Sequence, residues 1–536
     1  MTQISYISVA VSLPVIKSYT YSVPDHLKDF CSPGMRVLVP FGNRRVSGYI
    51  LSGQKDCKGF KAKKIFDVLD DHPLFPESEI SFFKWIAGYY IHPLGEVIKT
   101  ALPSGLDRHD VSCVFVTQHG QDHLNAGRLT PGEEQVIEFV LQRQSCAVKQ
   151  LKKNSQNTTI NALIRRMEKK DLITVSAVLK RDGANIKKEK FILHSDGPKT
   201  IIRMSKKRKK LLCLVKEKKE ISLTGLKVLI PTAPALIKPL AEAGYIQIIQ
   251  RQVFRDPLGD PVEPDTPPKL TSEQQIVVKR VQENLSRGFA PYLLSGVTGS
   301  GKTEVYMRLV WDVVEKGKSA IVLVPEISLI SQTERRFRAR FGEKIAVIHS
   351  SLTQGELLDQ WHKIVLKKVS IVIGARSAVF APFENIGIII VDEEHDTSYK
   401  QERGLRYNAR DLAVVRGKMN DCPVILGSAT PSVQSYQNVV IKRFEELKLK
   451  KRVNRHPLPR ITLVDLKKYK DARGYDRIIT PDLSKEIRTC LDNGTQALIF
   501  LTRRGFATFP VCMDCGKSLT CKYSDVTMTP QKGHNE

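Results

Sequence analysis

The sequence lacks the features of a membrane or secreted protein. No stretch of its 536 residues is long and apolar enough to cross a bilayer, since the most apolar run, IGIIIVD at 387–393, has the length of a buried strand. The N-terminus lacks a basic region followed by an apolar segment and a cleavage site, which argues against a secretion signal. The ten cysteines are mostly isolated, which argues against a disulfide framework. These absences predict a cytoplasmic protein with no membrane partner.

Acidic residues are scarce relative to basic ones. The chain has 56 Asp and Glu against 84 Lys and Arg, which gives a formal net charge of +28. Such an excess favours a polyanionic partner, either nucleic acid or an anionic membrane surface, and nucleic acid is the preferred hypothesis. The alternative is a globular protein whose surface is simply basic.

The residue pattern changes several times along the chain, which indicates a multidomain α/β protein of roughly three or four domains. Residues 1–105 combine β-branched and aromatic residues with turn signals, as expected for a mostly β domain. Beyond a Pro- and Asp-rich linker at 255–270, short apolar strands alternate with helices, which predicts a parallel sheet flanked by helices. The predicted segments are a β-rich domain (1–105), a winged-helix domain (106–185), a second winged-helix-like segment with its linker (200–258), a parallel-sheet lobe (266–445), a connector (446–510) and a partial cysteine region (511–536).

A glycine-rich motif, GVTGSGKT at 296–303, lies between a predicted strand and a predicted helix. Its glycines let backbone N–H groups converge on an anion, and the helix N-terminus adds partial positive charge. Lys302 is placed to reach the β and γ phosphates of a nucleotide, and the hydroxyl of Thr303 to bind Mg²⁺. The predicted contacts in this motif are Gly296, Thr298, Gly299, Ser300, Gly301, Lys302 and Thr303. The alternative is a glycine-rich turn with an incidental lysine.

Two polar motifs follow predicted strands further along the chain. In VDEEHD at 391–396, Asp392 is predicted to hold Mg²⁺ and Glu393 to orient an attacking water, which completes a catalytic set with Lys302. An acidic helix cap is the alternative interpretation. In GSATPS at 427–432, Ser428 and Thr430 are candidates to hydrogen-bond to the acidic motif, although spacing alone favours a plain polar turn.

GSGKT, DEEH and SAT, in this order, resemble the motifs of superfamily 2 helicases. Longer strings narrow the resemblance to the primosomal replication-restart helicases. These strings are VPFGNRRVSGYI (39–50), YYIHPLGEVIKTALP (89–103), LVPEISLISQ (323–332), GARSAVFAPF (374–383) and DEEHDTSYKQERGLRYNARD (392–411). The resemblance extends from the first residues to about residue 528.

The resemblance implies a RecA-like ATP-binding lobe and an N-terminal DNA-binding domain. It also implies an ATP-dependent 3′-to-5′ DNA helicase that recognises stalled or collapsed forks and initiates primosome assembly, with ATP and Mg²⁺ as cofactors. The implied partners are branched and single-stranded DNA, primosome proteins and single-stranded DNA-binding protein, in a bacterial cytoplasm at the nucleoid.

The resemblance also assigns residues. Gln274 in LTSEQ corresponds to an adenine contact. DNA contacts are implied for Arg376 and for an aromatic-rich loop that links DNA binding to hydrolysis, where aromatic faces would stack on bases and cations would hold phosphates. In the N-terminal domain the implied function is binding of a 3′ DNA end. The implied DNA-binding residues are Tyr19, Arg44, Arg45, Lys63, Arg376, Tyr399, Lys400, Arg406 and Tyr407.

The C-terminal region matches its family pattern incompletely. Cys512, Cys515 and Cys521 resemble part of a Zn²⁺ site, with Ser524 where a fourth cysteine is expected. LIFLTRRGFATF at 498–509 resembles the start of a second RecA-like lobe, so we expect a truncated helicase that still binds ATP. A fork-binding scaffold with ATP as a switch is the main alternative function, and a restriction-type or chromatin-type translocase is a third.

Overall fold

The structure, a computed structural model, describes most of the chain. The described residues are 5–500 apart from 55–61, 107, 144–145, 148–150, 152–159, 182–187, 196, 198–199, 203, 256, 258, 260–261, 455–456, 458 and 470–478. They form two units, one up to residue 455 and one from residue 456 onwards. No helix among the described residues combines the length and the apolar character needed to span a bilayer.

The first unit begins with an antiparallel sheet and two helices. These elements are β1 (Tyr6–Val11), β2 (Tyr19–Ser22), β3 (Arg36–Phe41), β4 (Arg44–Gln54), β5 (Asp67–Val68), α1 (Glu79–Tyr89) and α2 (Leu94–Ala101). The strands pair in the order β2-β1-β4-β3-β5. Alternate residues of a strand face the same side, so Ile7, Val9, Val11, Val37 and Val39 share one buried core.

Two small helix-and-strand modules follow. The first contains β6 (Arg108–Val116), α3 (Gln118–Asn125), α4 (Pro131–Leu141), β7 (Cys146–Ala147), α5 (Ile160–Lys169) and β8 (Ile173–Arg181). The second contains β9 (Lys188–His194), α6 (Lys206–Lys218), β10 (Glu220–Ser222), α7 (Leu223–Leu229), α8 (Ala233–Glu242) and β11 (Ile246–Gln252). β9 pairs with both β10 and β11, so a strand that precedes residue 200 belongs to the second module.

The largest part of the first unit is a seven-stranded parallel sheet flanked by helices. Its strands are β12 (Pro291–Gly296), β13 (Ser319–Leu323), β14 (Ile345–Ile348), β15 (Ile371–Gly374), β16 (Ile386–Val391), β17 (Val424–Ser428) and β18 (Glu445–Leu449). Its helices are α9 (Ser272–Gln282), α10 (Lys302–Glu315), α11 (Ile327–Phe341), α12 (Gln354–Val365), α13 (Ala409–Met419) and α14 (Val433–Val440).

The strand order of this sheet positions the sequence motifs. The order is β14-β15-β13-β16-β17-β12-β18, and β16, which reads IGIIIV, is buried along its whole length because helices cover both faces. β12, β16 and β17 are neighbours in the sheet. The motifs GVTGSGKT, VDEEHD and GSATPS each begin at the carboxyl end of one of these strands. Because parallel strands end at the same edge, the three motifs meet there.

The N-terminal domain packs on one face of this sheet with a shared hydrophobic core. Phe82, Phe83 and Ile86 of α1 belong to the same buried cluster as residues of β13, β16 and α13. Two polar contacts cross this interface. The indole Nε1 of Trp361 donates a hydrogen bond of 2.7 Å to the carbonyl oxygen of Leu74, and Arg416 forms a buried ion pair with Glu79.

The predicted linker is docked along the lobe. The backbone N–H of Asp265 donates to the carbonyl oxygen of Ala339 at 2.8 Å, and its carboxylate pairs with Arg340 at 2.7 Å. Arg308 donates a hydrogen bond of 2.8 Å to the carbonyl oxygen of Pro268. These contacts connect the linker to α10 and α11.

The second unit contributes one α-helix to the described residues, α15 (Pro481–Asp492). The hydroxyl of Thr480 caps it by accepting from the backbone N–H of Leu483 at 3.2 Å. The hydroxyl of Tyr469 donates a hydrogen bond of 2.6 Å to Asp482 in the first turn.

Candidate functional site

The glycine-rich motif forms a tight loop between β12 and α10. Gly299 and Gly301 both have a φ of +79°, a left-handed conformation that only glycine adopts without a steric penalty. α10 begins at Lys302, so the N–H groups of its first turn and the partial positive charge of its N-terminus lie at the loop. Thr298 is exposed at the tip. This geometry fits a phosphate group.

The backbone of the glycine-rich loop holds the side chain of Lys302 in place. The side chain is 10% exposed, and Nζ donates a hydrogen bond of 3.0 Å to the carbonyl oxygen of Gly296. On the other side of the loop, the side-chain amide of Gln274 donates to the carbonyl oxygen of Ser300 at 2.9 Å. The lysine ammonium group therefore has a fixed position at the start of α10.

Gln274 also caps its own helix. Its Oε1 accepts a hydrogen bond of 2.9 Å from the backbone N–H of Thr271, and the Thr271 hydroxyl accepts one of 3.3 Å from the backbone N–H of Gln274. A cavity of about 620 Å³ adjoins the loop and is lined in part by Pro268, Gly301 and Thr303. The contact of Gln274 with adenine stays a prediction.

The acidic motif lies next to this loop. The hydroxyl of Tyr306 donates a hydrogen bond of 3.0 Å to Asp392 Oδ1, and Lys302 Nζ lies 3.7 Å from Glu393 Oε1. Burial raises the pKa of Asp392 and the Glu393 carboxylate raises it further, whereas Tyr306 and Lys302 oppose the rise. The structure thus brings Lys302, Asp392 and Glu393 together, and the catalytic roles predicted for them stay predictions.

The donors at this site suit Mg²⁺. A partly buried carboxylate, Asp392, and a hydroxyl in the first turn of α10, Thr303, offer the hard oxygen ligands that this ion prefers. Among the residues that the structure describes, no group of three or more His, Cys, Asp and Glu side chains is arranged to hold a metal ion. The predicted Zn²⁺ ligands Cys512, Cys515 and Cys521 lie outside the described residues.

Glu394 is a site residue that sequence reasoning missed. Its buried carboxylate accepts hydrogen bonds from the backbone N–H of Ser432 at 2.6 Å and from the hydroxyl of Ser435 at 2.7 Å. Arg410 pairs with it at 3.3 Å. Glu393 has a φ of +43°, so the backbone turns sharply between the two acids. Glu394 therefore connects the acidic motif to the start of α14.

A second connection joins the acidic motif to β17. His395 Nδ1 and the hydroxyl of Ser428 are hydrogen-bonded at 2.8 Å, and the backbone N–H of Thr430 donates to the same hydroxyl at 2.9 Å. The bond expected between Ser428 and the acidic motif is therefore present. A role of Ser428 and Thr430 in sensing nucleotide stays a prediction.

The loop 399–408 follows the acidic motif, and its structure differs from the expectation that Tyr399 and Tyr407 stack on DNA bases. The rings of Tyr399 and Tyr407 are 1% and 3% exposed, so neither can stack on a base in this conformation. Tyr399 donates from its hydroxyl to the backbone carbonyl oxygen of Asp392 at 2.6 Å, and Tyr407 packs edge-to-face on Phe380 at 5.0 Å. Both tyrosines hold the loop against the lobe because their rings complete its core.

The predicted cations of this region remain at the surface or near it. Lys400 and Arg406 are exposed, and Lys400 Nζ donates to the carbonyl oxygen of Arg406 at 2.8 Å. The guanidinium of Arg376 donates to the carbonyl oxygens of Ser398 and Lys400, both at 3.3 Å. Arg376 thus supports the loop that carries the two exposed cations.

Arg452 is a second residue that the motifs did not indicate. The chain after β18 runs along the glycine-rich loop, where the backbone N–H of Val453 donates to the carbonyl oxygen of Gly299 at 3.0 Å. The Arg452 side chain lies against Gly299, and its Nε is buried without a hydrogen-bond partner among the described residues. Arg452 therefore adds a positive charge beside the glycine-rich loop, whose geometry fits a phosphate group.

The N-terminal domain has two neighbouring cavities that contain its predicted DNA contacts. One of about 430 Å³ is lined by Tyr19, Lys63 and Phe41, among others. The other, of about 790 Å³, shares Phe41 and is lined by Arg44 and Arg45. Tyr19 and Phe41 pack edge-to-face with ring centroids 5.2 Å apart, so an aromatic pair separates a lysine from two arginines.

Fold and site together define the class of the protein: a RecA-like P-loop lobe of helicase type, joined through one core to a β-rich domain with basic cavities. Residues 271–439 match the DEAD/DEAH box helicase family, and residues 8–103 match the PriA 3′DNA-binding domain (3′BD) family.

Curated relatives match along nearly the whole chain. Replication restart protein PriA of Bacillus subtilis is 35% identical over 521 residues, which cover 96% of this chain and 64% of the relative. The PriA of Synechocystis sp. is 32% identical over 547 residues, with coverage of 97% and 64%. The chain is similar to these PriA replication restart proteins along nearly its whole length, and it spans 64% of the length of each of these two relatives.

Proposed function

We propose that this protein is an ATP-dependent DNA helicase of replication restart, which binds branched DNA, moves 3′ to 5′ and initiates primosome assembly. The observation that carries the proposal is the meeting of Lys302, Asp392 and Glu393 at adjacent strand ends, in a lobe that shares its core with a 3′ DNA-binding domain. Primosome proteins and single-stranded DNA-binding protein are the proposed protein partners.

Each residue of the nucleotide site has a chemical role in this proposal. Lys302 and Arg452 neutralise phosphate charge, while Thr303 and Asp392 hold Mg²⁺. When bound, Mg²⁺ supplies charge stabilisation of the phosphoryl oxygens. Glu393 orients the attacking water, since its carboxylate is half-buried beside Lys302.

The N-terminal cavities provide the proposed DNA 3′-end site. Tyr19 offers an aromatic ring for the terminal base, and Lys63 lies in the same cavity to meet a phosphate. Arg44 and Arg45 in the neighbouring cavity extend the basic surface along the strand. Thr20 also lines the first cavity, so a hydroxyl is available there to the terminal sugar.

Replacement of Lys302 tests the nucleotide part of the proposal. Loss of a charge-assisted contact in Lys302→Ala should weaken binding of a fluorescent ATP analogue with Mg²⁺ by roughly 10- to 100-fold. Fork binding, followed by fluorescence anisotropy, should change little because the DNA contacts lie elsewhere. Lys316→Ala, at the exposed end of α10, is the matched control.

DNA-stimulated ATP hydrolysis and unwinding of a fork test the motor part. Hydrolysis that rises with single-stranded DNA and fails in Lys302→Ala supports a helicase. Fork binding without any hydrolysis would instead support the scaffold alternative, in which ATP acts as a switch. Binding that is equal for forks ending in a 3′ hydroxyl and a 3′ phosphate would contradict the proposed 3′-end site.

A further inference from the structure

The end of α1 presents three aromatic rings next to the loop 399–408. Trp85 and Tyr89 are stacked with centroids 4.8 Å apart and planes at 12°, and Tyr90 meets Tyr89 edge-on at 4.9 Å. We call these three residues the aromatic platform. Tyr89 is 66% exposed, although large aromatic rings are usually buried. The platform therefore offers a ring face to the solvent.

The backbone at this position departs from the usual helix end. Ile91, which follows the platform, has a φ of +50° and is 88% exposed. The backbone N–H of His92 donates to the carbonyl oxygen of Ala87 at 2.9 Å, the pattern of a helix terminus that normally uses glycine. A β-branched residue in this region is strained, and such strain is concentrated at functional positions.

The platform is attached directly to the loop that follows the acidic motif. The hydroxyl of Tyr90 accepts a hydrogen bond of 3.1 Å from the backbone N–H of Asn408, and Lys400 Nζ lies 5.8 Å from the Tyr90 ring centroid. Three exposed cations on the loop, Lys400, Arg403 and Arg406, outnumber its exposed carboxylate, Glu402.

We propose that the aromatic platform is a stacking site for a base of single-stranded DNA, whose phosphates are held by Lys400 and Arg406. An exposed aromatic face beside cations is the combination that binds single strands without sequence preference. It would supply, from the N-terminal domain, the stacking surface that the buried Tyr399 and Tyr407 cannot offer. The proposal rests on the proposed function, because it places a segment of the DNA that the motor would follow.

The first test compares variants of Tyr89 in the full chain. Tyr89→Ala should weaken binding of oligo(dT) by roughly 5-fold or more, since one base stacked on an aromatic ring contributes roughly 5- to 150-fold. Tyr89→Phe should bind like the wild type because stacking needs the ring and not the hydroxyl. Tyr436→Ala, an exposed tyrosine on α14, is the control and should have no effect.

Salt dependence separates stacking from charge. Tyr89→Ala should leave the slope of log affinity against log salt unchanged, whereas Lys400→Ala should reduce it by about 0.7, the value for one phosphate on a single strand. Oligo(dT) containing 5-iodouracil should form photo-crosslinks within residues 85–90. A Tyr89→Ala variant that binds and crosslinks like the wild type would overturn the platform.

Other outcomes are equally decisive. Wild-type protein that fails to bind oligo(dT) or forks would overturn the proposed function itself. Wild-type binding with no effect of Tyr89→Ala would overturn the platform alone. If Tyr89→Ala changed the oligomeric state or the capture of a protein and left DNA affinity intact, the platform would be a protein-docking surface and the proposal would be wrong.

Discussion

The hydroxyl of Tyr399 donates a hydrogen bond of 2.6 Å to the backbone carbonyl oxygen of Asp392. A buried side chain of the loop 399–408 is thus bonded to the residue proposed to hold Mg²⁺. At the other side of this loop, Asn408 is bonded to Tyr90 at the end of α1. These two hydrogen bonds and the loop between them connect the N-terminal domain to the nucleotide site.

Replacement of Tyr399 by Phe should weaken the coupling between the two ligands. Phe keeps the ring packing but removes the bond to Asp392, so each ligand alone should bind nearly as in the wild type. The ratio of oligo(dT) Kd values with and without saturating Mg²⁺ and a non-hydrolysable nucleotide should move towards one. Fluorescence anisotropy measures both values.

Tyr407→Phe is the matched control for this experiment. It removes a hydroxyl from the same loop, and its ring packs on Phe380 and not on the acidic motif. If the ratio of oligo(dT) Kd values with and without nucleotide were the same in Tyr399→Phe as in the wild type, the hydrogen bond to Asp392 would not transmit the coupling.

Glu394→Gln should destabilise the lobe more than any other isosteric change in the acidic motif. The carboxylate accepts hydrogen bonds from Ser432 and Ser435 and pairs with Arg410, so an amide would place N–H groups against these donors and remove the charge that faces Arg410. We expect a loss of about 2–4 kcal/mol in the free energy of unfolding. Urea denaturation monitored by circular dichroism measures it.

The neighbouring acid provides the control. Glu393 is about one-third exposed, so Glu393→Gln should change the free energy of unfolding by less than about 1 kcal/mol while it affects hydrolysis. Equal destabilisation by both substitutions would contradict the structural role assigned to Glu394.

This contrast between adjacent glutamates shows how far the sequence could be interpreted. The apolar runs predicted a parallel sheet because strands covered on both faces need no polar residues. The structure brings Lys302, Asp392 and Glu393 together because motifs at the ends of neighbouring parallel strands share one edge, and the catalytic roles of these residues stay predictions. Nothing in the string VDEEHD distinguishes Glu393, which is partly exposed, from Glu394, which is buried. That difference arises from the turn at Glu393 and from Ser432 and Ser435, which are distant in sequence.

The buried tyrosines show the same limit. A loop rich in Tyr, Lys and Arg predicts exposed stacking rings if it is considered alone. Tyr399 and Tyr407 are buried because the loop packs on Phe380 and is bonded to Tyr90, contacts between segments far apart in the chain. The linker at 255–270 was likewise predicted from its prolines, whereas its docking depends on Arg308 and Arg340.

The Glu79–Arg416 pair should stabilise the contact between the N-terminal domain and the lobe only while both partners are present. Arg416 also donates to the carbonyl oxygen of Ala381 at 2.7 Å, and both side chains are almost completely buried. Burial raises the pKa of Glu79 and the arginine opposes the rise. Glu79→Gln or Arg416→Met alone should lower the free energy of unfolding by about 3–5 kcal/mol.

A double-mutant cycle distinguishes this pair from an ordinary surface contact. Because each single variant leaves one group buried without its partner, the double variant should lose less than the sum of the two single losses. The exposed pair Arg251–Glu220 is the comparison, and its single variants should lose less than about 1 kcal/mol. If the losses in the free energy of unfolding at Glu79 and Arg416 were strictly additive, the two residues would not stabilise the protein as a buried ion pair.

Glu133 should make the stability of the first helix-and-strand module depend on acidity. Burial alone would raise its pKa, but hydrogen bonds from the backbone and hydroxyl of Thr130 and from Lys170, at 2.9 Å from the ammonium, lower it to about 2. A depressed carboxyl pKa stabilises the folded state above the unfolded pKa, near 4.5, and this contribution is lost as pH falls towards 2.

Glu133→Gln should therefore destabilise α4 near neutral pH, by at most about 3 kcal/mol, and the difference from the wild type should shrink steadily below pH 4.5. Hydrogen exchange of α4 amides across this range measures the local effect, because it reports opening of this module and not of the whole chain. Glu134→Gln, at an exposed position of the same helix turn, removes the same charge and should show no such convergence. If the two variants lost stability equally at every pH, the capping contacts of Glu133 would not be the source of its low pKa, since charge removal at the helix N-terminus alone would then explain both losses.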